Sequence, residues 1–241
     1  MLFPGAARIA TVVELERVDS TFDAVDERAD HLTTWATLDQ RAGRGRLGRE
    51  WVSPPGKCLA ATVLVRTGRM REDAVGWMPL AAGLALADAL RTLVGDRAGL
   101  KWPNDVLVDG RKIAGVLCER RKQAVAVGFG VNLTLTREEL PTPHATSLTL
   151  EGAEGTAPVL GDAVLWHMLR SLDALLPALG GEDLRAAVES ALTTVGRDVR
   201  VELPDGELLG RAVGLGTAGE LRVDTGDRIV DVRAGDVVHL R

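Results

Sequence analysis

Apolar positions in this chain fall into short runs and long ones. Residues 32–38 (LTTWATL) and 58–65 (CLAATVLV) are short, apolar and bounded by turn-forming residues, the pattern of strands buried in a sheet. Residues 74–94 are rich in Ala and Leu with Pro79 near the start, which predicts a buried helix crossing that sheet. Residues 106–108 and 112–118 flank Asp109-Gly110, a strong hairpin signal, and 124–130 reads as a further strand. Helices are expected over 160–179 and 183–194. Ser20, Thr21 and Asp23 open the segment STFDAVDERADHL with a polar cap and early acids, so a helix is expected to begin near Ser20.

After Gly196 the texture changes. RDVRVEL, ELLGRAV, ELRVD, RIVDV and DVVHL are separated by Pro204-Asp205-Gly206, Thr217-Ala218-Gly219 and Thr225-Gly226-Asp227, which predicts short strands in a small β-barrel. A unit this small is marginal alone and should pack on the larger one. The chain is thus expected to be α+β, with a mixed or antiparallel sheet flanked by helices over 1–195 and the barrel over 196–241.

Composition narrows the class. The chain has 241 residues, 46% hydrophobic and 26% charged, which suits a folded protein and argues against disorder. A net charge of -5 argues against a protein that coats nucleic acid, so any arginine cluster must be local. Cys58 and Cys118 lie far apart within apolar runs and read as small buried hydrophobes. His31, His144, His167 and His239 are scattered, and none is assigned to a metal or to acid–base work. With no signal-peptide pattern and no apolar stretch approaching about 18 residues, a soluble cytoplasmic protein is expected.

One loop calls for chemistry. In QRAGRGRLGREW, residues 40–51, Gly43, Gly45 and Gly48 satisfy the dinucleotide-binding spacing G-x-G-x-x-G. That motif must lead into a helix, yet the chain continues to Pro54-Pro55-Gly56, which no helix interior accommodates. A phosphate-binding P-loop also fails, because Gly56-Lys57 is followed by Cys58. What remains is a flexible loop carrying Arg41, Arg44, Arg46 and Arg49, suited to a phosphate or carboxylate but equally readable as a solvated arginine loop. Lys101-Trp102-Pro103-Asn104-Asp105 places a lysine at a strand end on a stiff turn, either to stabilise charge or as a snorkelling surface residue. Gly115 interrupts the strand over 112–118, marking a bulge or the close approach of a ligand.

Taken in order, Val18-Asp19-Ser20-Thr21, Gln40, Ala42-Gly43-Arg44-Gly45-Arg46 with Gly48-Arg49, Lys101 to Asp105, Lys112 to Glu119 and Gly128-Phe129-Gly130-Val131-Asn132 closely resemble the biotin protein ligases. The likeness runs from about Val18 to Arg241. It implies a class II synthetase-like catalytic domain with an SH3-like C-terminal barrel, and an enzyme that joins biotin to ATP and then transfers biotin to a lysine of a biotin carboxyl carrier domain of an acyl-CoA carboxylase. Mg²⁺ is implied with the ATP.

By the same likeness Lys101 is the catalytic cation, contacting biotin and the reacting α-phosphate and acting with Arg46. Ser20, Thr21 and Gln40 read the biotin ring, and Gly43, Arg44, Gly45, Arg46 and Gly115 hold biotin. Arg44, Arg46, Arg49, Lys101, Asn104 and Asn132 serve ATP. Asn104 is also the candidate Mg²⁺ ligand, with Asp105 behind it. Trp51 is expected to stack on the adenine or else to be an ordinary core residue. The glycines make the arginine loop a lid that protects an acyl-adenylate from water. Two residues depart from the family: Phe22 stands where asparagine is usual, leaving backbone contact to biotin alone, and Arg41 adds a charge beside Gln40.

The residues before Val18 are too few for the DNA-binding domain that some members carry, so no specific DNA binding is expected, nor any membrane association. A homodimer is possible. The alternatives are a lipoate or octanoate ligase and a noncatalytic biotin-binding module.

Overall fold

The computed structural model describes residues 1–68, 70–203 and 206–240. Pro204 and Asp205, part of an expected turn, lie outside the described residues. The strands of the larger unit are β1 (Val12–Glu14), β2 (Thr34–Thr37), β3 (Gly43–Arg44), β4 (Glu50–Trp51), β5 (Cys58–Arg66), β6 (Ala98–Lys101), β7 (Asp105–Val108), β8 (Arg111–Arg120) and β9 (Ala124–Asn132). Its helices are α1 (Glu72–Val75), α2 (Met78–Val94), α3 (Ala157–Leu175) and α4 (Glu182–Ala191). Strands β10 (Asp198–Leu203), β11 (Gly206–Leu215), β12 (Leu221–Asp224), β13 (Ile229–Val232) and β14 (Asp236–His239) complete the chain.

Seven strands form one sheet in the order β1-β2-β5-β9-β8-β7-β6. β1 runs parallel to β2 and every other pairing is antiparallel, so the sheet is mixed, as expected of an α+β fold. α2 is buried along most of its length because it lies between the sheet and α3. A side chain at Gly83 would come within 2.6 Å of Leu100 Cδ1, so the missing Cβ lets α2 approach β6. Helices thus cover one face and leave the other for a site. No helix among the described residues is long and apolar enough to cross a membrane.

The Asp109-Gly110 turn has φ of 48° and 79°, the left-handed pair that a tight hairpin needs. The helix expected near Ser20 is a single 3₁₀ turn over Thr21–Ala24. Its polar groups find partners across the sheet: Thr21 N donates to Gln40 Oε1 at 2.9 Å, and Phe22 is buried. Tertiary contacts replace the next helical turn, and Ser20 makes no capping bond. α3 begins three residues earlier than expected, with a proline in its first turn. α4 stops at Ala191 because Leu192 turns extended and bridges to Leu100.

β10 to β14 form a five-stranded antiparallel, SH3-like sheet in the order β13-β12-β11-β10-β14. Two buried tryptophans of the larger unit tie it down. Trp77 Nε1 donates to Thr217 O at 2.9 Å and Trp102 Nε1 to Gly219 O at 3.0 Å. His239 Nε2 lies 3.1 Å from Thr194 Oγ1, which accepts a hydrogen bond from Trp102 N at 3.1 Å.

Burial, then the charges of Lys101 and Arg197, push the His239 imidazole down to about 4. The unfolded histidine takes up its proton near an ordinary pKa of about 6.5. Stability from this group is therefore complete above about pH 6.5 and lost as pH falls towards about 4. His239→Gln should flatten that loss, measured by urea unfolding at about pH 7 and about pH 4.5. An equally steep decline in both proteins would remove His239 from the account.

Candidate active site

The face of the sheet away from the helices is short of side chains. Gly130 on β9 pairs with Gly115 on β8 and with Ala60 on β5, and Gly115 pairs with Asp105 on β7. Gly128, two residues before Gly130 and on the same face, pairs with Thr62 and Leu117. These three glycines make a floor on which other groups lie directly. A Cβ on Gly130 would come within 2.4 Å of Trp51 Cε2, and one on Gly128 within 2.3 Å of Phe22 Cζ. The cleft above has about 750 Å³ of empty space including its mouth, enough for a small-molecule substrate.

One end of this cleft is polar and neutral. Thr21 Oγ1 lies 2.7 Å from Thr62 Oγ1 and 3.3 Å from Gln40 Oε1. Ser20 Oγ is buried beside them and has no partner. A buried hydroxyl left unbonded costs about 1–3 kcal/mol, so a ligand with a matching amide-like group would gain by meeting it. Trp51 Nε1 is likewise buried and unpartnered.

The other end is cationic. Lys112 Nζ reaches into the cleft, 2.6 Å from Asp105 Oδ1 and 5.6 Å from the centre of the Trp51 ring. The arginine loop folds over as a two-stranded ribbon, β3 against β4, turning through Leu47 (φ 56°) and Gly48 (φ 74°). Arg46 Nη1 donates to Asn104 Oδ1 at 3.2 Å, and its Nη2 donates to Gly235 O at 3.2 Å. Asp236 pairs with both Arg46, at 3.7 Å, and Arg49. Arg44 pairs with Asp23 and, at 3.8 Å, with Glu119. Burial pulls the Arg46 guanidinium below its ordinary pKa, Asp105 opposing, yet arginine stays charged.

Of the expected residues, the cleft gathers Ser20, Thr21, Phe22, Gln40, Arg44, Gly45, Arg46, Arg49, Trp51, Asn104 and Gly115. Gly43 packs behind it, where a Cβ would come within 2.7 Å of Gln40 Nε2. Lys101 does not line it. That lysine sits one strand beyond Asp105 at the sheet edge, with burial lowering its pKa, Asp105 opposing and Lys112 adding to the effect. Asn132 is also apart: its Nδ2 donates to Thr146 O at 2.9 Å, and its Oδ1 lies 3.8 Å from Cys58 Sγ. Burial pushes the Cys58 thiol up to about 12, so it is inert, as expected of a core cysteine.

Lys112 is the functional candidate that sequence alternation hides. Counting back by twos from Gly115 assigns Lys112 to the helix-covered face. A bulge on β8 intervenes: Val106 pairs with Ala114 but Leu107 pairs with Lys112, and the extra residue, Ile113, returns Lys112 to the open face.

Asn104 Oδ1 faces a guanidinium and Asp105 a lysine. Among the described residues, no group of three or more His, Cys, Asp or Glu could hold a metal ion.

This geometry agrees with the comparisons. Residues 15–134 match the model of the biotin/lipoate A/B protein ligase family, and residues 194–240 match that of the biotin protein ligase C-terminal domain. The chain is 40% identical over 208 residues to a biotin–[acetyl-CoA-carboxylase] ligase of Mycobacterium tuberculosis, covering 84% of this chain and 77% of that one. It is 30% identical over 242 residues to the bifunctional ligase/repressor BirA of Escherichia coli, covering 96% and 74%. The structure aligns with the biotin protein ligase of Aquifex aeolicus in complex with biotin and ATP at a TM-score of 0.79 and 28% identity, covering 96% and 99%. The fold and site define a protein ligase of the biotin/lipoate class. Within it, the chain belongs to the biotin protein ligase family.

Asp236 anchors the ribbon from the far side of the cleft, so Asp236→Asn should loosen it locally. Nicking by trypsin within residues 44–50 should rise several-fold, with the thermal midpoint shifting by no more than a few degrees. Unchanged nicking would mean that the ribbon holds itself.

Proposed function

We propose that this protein activates biotin with ATP and transfers the biotinyl group to a lysine of a biotin carboxyl carrier domain of an acyl-CoA carboxylase. The observation that carries this reading is the polarity of the cleft. The unpartnered Ser20 hydroxyl beside the neutral groups of Thr21 and Gln40 suits an uncharged ureido ring, and Lys112 with Arg46 at the other end suits a carboxylate meeting phosphates. Relatives named for this activity, and a structural neighbour holding biotin and ATP, support the same conclusion.

In the first step a biotin carboxylate oxygen attacks the α-phosphorus of ATP, the bond to the β-phosphate breaks, and pyrophosphate leaves. Two anions must be brought together, so the barrier is largely electrostatic and positional. Lys112 neutralises the carboxylate, and Arg46, backed by Asn104, faces the phosphates. Lys101, one strand beyond Asp105, contributes to the positive field. For the Mg²⁺ implied by the family, the expected ligands Asn104 and Asp105 are engaged by Arg46 and Lys112, and no step is assigned to it. In the second step the neutral amine of the carrier lysine attacks the acyl carbon, AMP leaves, and a proton is lost from nitrogen. The ribbon over the cleft keeps water from the mixed anhydride in between. Residues 1–195 are assigned to the catalytic unit and 196–241 to the second domain.

Exchange of labelled pyrophosphate into ATP tests the reading. Biotin should support exchange, and octanoate and lipoate should not. Lys112→Ala should lower the rate on the order of 10²- to 10³-fold, the scale for losing a preorganised charge-stabilising group, with Lys101→Ala falling less. Exchange with octanoate or lipoate alone would make the protein the rival ligase. Biotin binding without exchange would leave a binding module, and a greater loss in Lys101→Ala would return the catalytic role to that lysine.

A further inference from the structure

Resting on the ligase reading, the inference here concerns what limits the size of the acid. Two aromatic rings touch the glycine floor, and they are mounted differently. Trp51 lies on β4, part of the ribbon that folds over the cleft. Phe22 belongs to the 3₁₀ turn whose first amide donates to Gln40 Oε1 and in which Asp23 N donates to Ser20 O at 3.0 Å. Phe22 is only 6% exposed, and the tip of its ring is pressed on Gly128, since a Cβ there would come within 2.3 Å of Cζ and 2.4 Å of Cε2. Gly128 pairs across the strands with Thr62, whose hydroxyl meets that of Thr21. The ring therefore stands at the neutral end of the cleft, beside the hydroxyls that would read the ureido group.

Gly128 and Gly130 are two residues apart on one strand, about 6.6 Å, so a ring seated over the floor has little room between Phe22 and the Trp51 side. Trp51 can move with its ribbon. Phe22 is held by the sheet, and bare Gly128 is what allows an aromatic side chain to reach so far down. We infer that Phe22 is a specificity-determining residue: a fixed aromatic wall that excludes acids whose head group extends beyond the ureido ring, such as biotin alkylated on a ureido nitrogen.

The test is calorimetric binding of biotin, and of biotin carrying a small alkyl group on one ureido nitrogen or the other, to wild type, Phe22→Ala and Phe22→Leu. The alkylated acids lose an N–H in every protein, so the readout is their affinity relative to biotin. That ratio should rise roughly tenfold or more in Phe22→Ala for at least one isomer, the scale of added space in a hydrophobic pocket. Phe22→Leu, which keeps most of the buried volume, should move it the same way by a smaller factor. If Phe22→Ala does not fold, the shift in Phe22→Leu decides. An unchanged ratio for both isomers, or a parallel loss of all three acids, would overturn the inference. Wild type that binds biotin without pyrophosphate exchange would defeat the ligase reading and leave the wall measurable, whereas wild type that binds none of the acids would defeat both.

Discussion

The site depends on the absence of three side chains in the middle of a sheet. Gly115, Gly128 and Gly130 sit on adjacent strands and share the face that the helices leave open. Glycine within a strand weakens it by entropy and lost packing, so three together need compensation. The opposite face supplies it: Val127, Phe129 and Val131 alternate with Gly128 and Gly130 and are buried in the main core. One strand thus serves two purposes: its odd positions carry stability, and its even positions let Phe22 and Trp51 settle onto the sheet as walls of the cleft. An alanine at Gly130 would meet the indole of Trp51.

Charge is balanced within the protein before any substrate arrives. Arg44 is paired with Asp23 and Glu119, Arg46 and Arg49 with Asp236, and Lys112 with Asp105. A phosphate or carboxylate entering the cleft must displace or share these partners, so ligand affinity is a difference between two sets of ion pairs. The arrangement also makes the C-terminal sheet part of the site, since Gly235 O and Asp236 hold two of the loop arginines. Buried Trp77 and Trp102 fix the position of that sheet through their indole N–H groups.

Much of this was legible in the sequence. The long helix, the hairpin at Asp109-Gly110 and the strands over 58–65 and 124–130 follow from periodicity and turn chemistry, which act locally. Motif resemblance led to the glycine–arginine loop and to the Ser20-Thr21 pair, and both lie in the cleft. What was hidden depended on contacts distant in sequence. β1 has three residues of mixed polarity and exists by pairing with β2. The polar start at Ser20 promised a helix, but Gln40 and Thr62 supplied the hydrogen bonds that a helix would have made. Lys112 was masked by a single bulge that breaks the alternation on β8, so the stiff Lys101 turn drew the attention although Lys112 is the lysine that lines the cleft.

The central claim is that a neutral ring lies on the glycine floor with its carboxylate towards Lys112. A crystal structure with biotin and a nonhydrolysable ATP analogue tests it most directly. The account predicts the bicyclic ring between Phe22 and Trp51 above the glycine floor, Ser20 Oγ hydrogen-bonded to the ureido group, and the carboxylate nearer to Lys112 Nζ than to Lys101 Nζ. Biotin bound elsewhere, or bound with Ser20 Oγ still unpartnered, would contradict it.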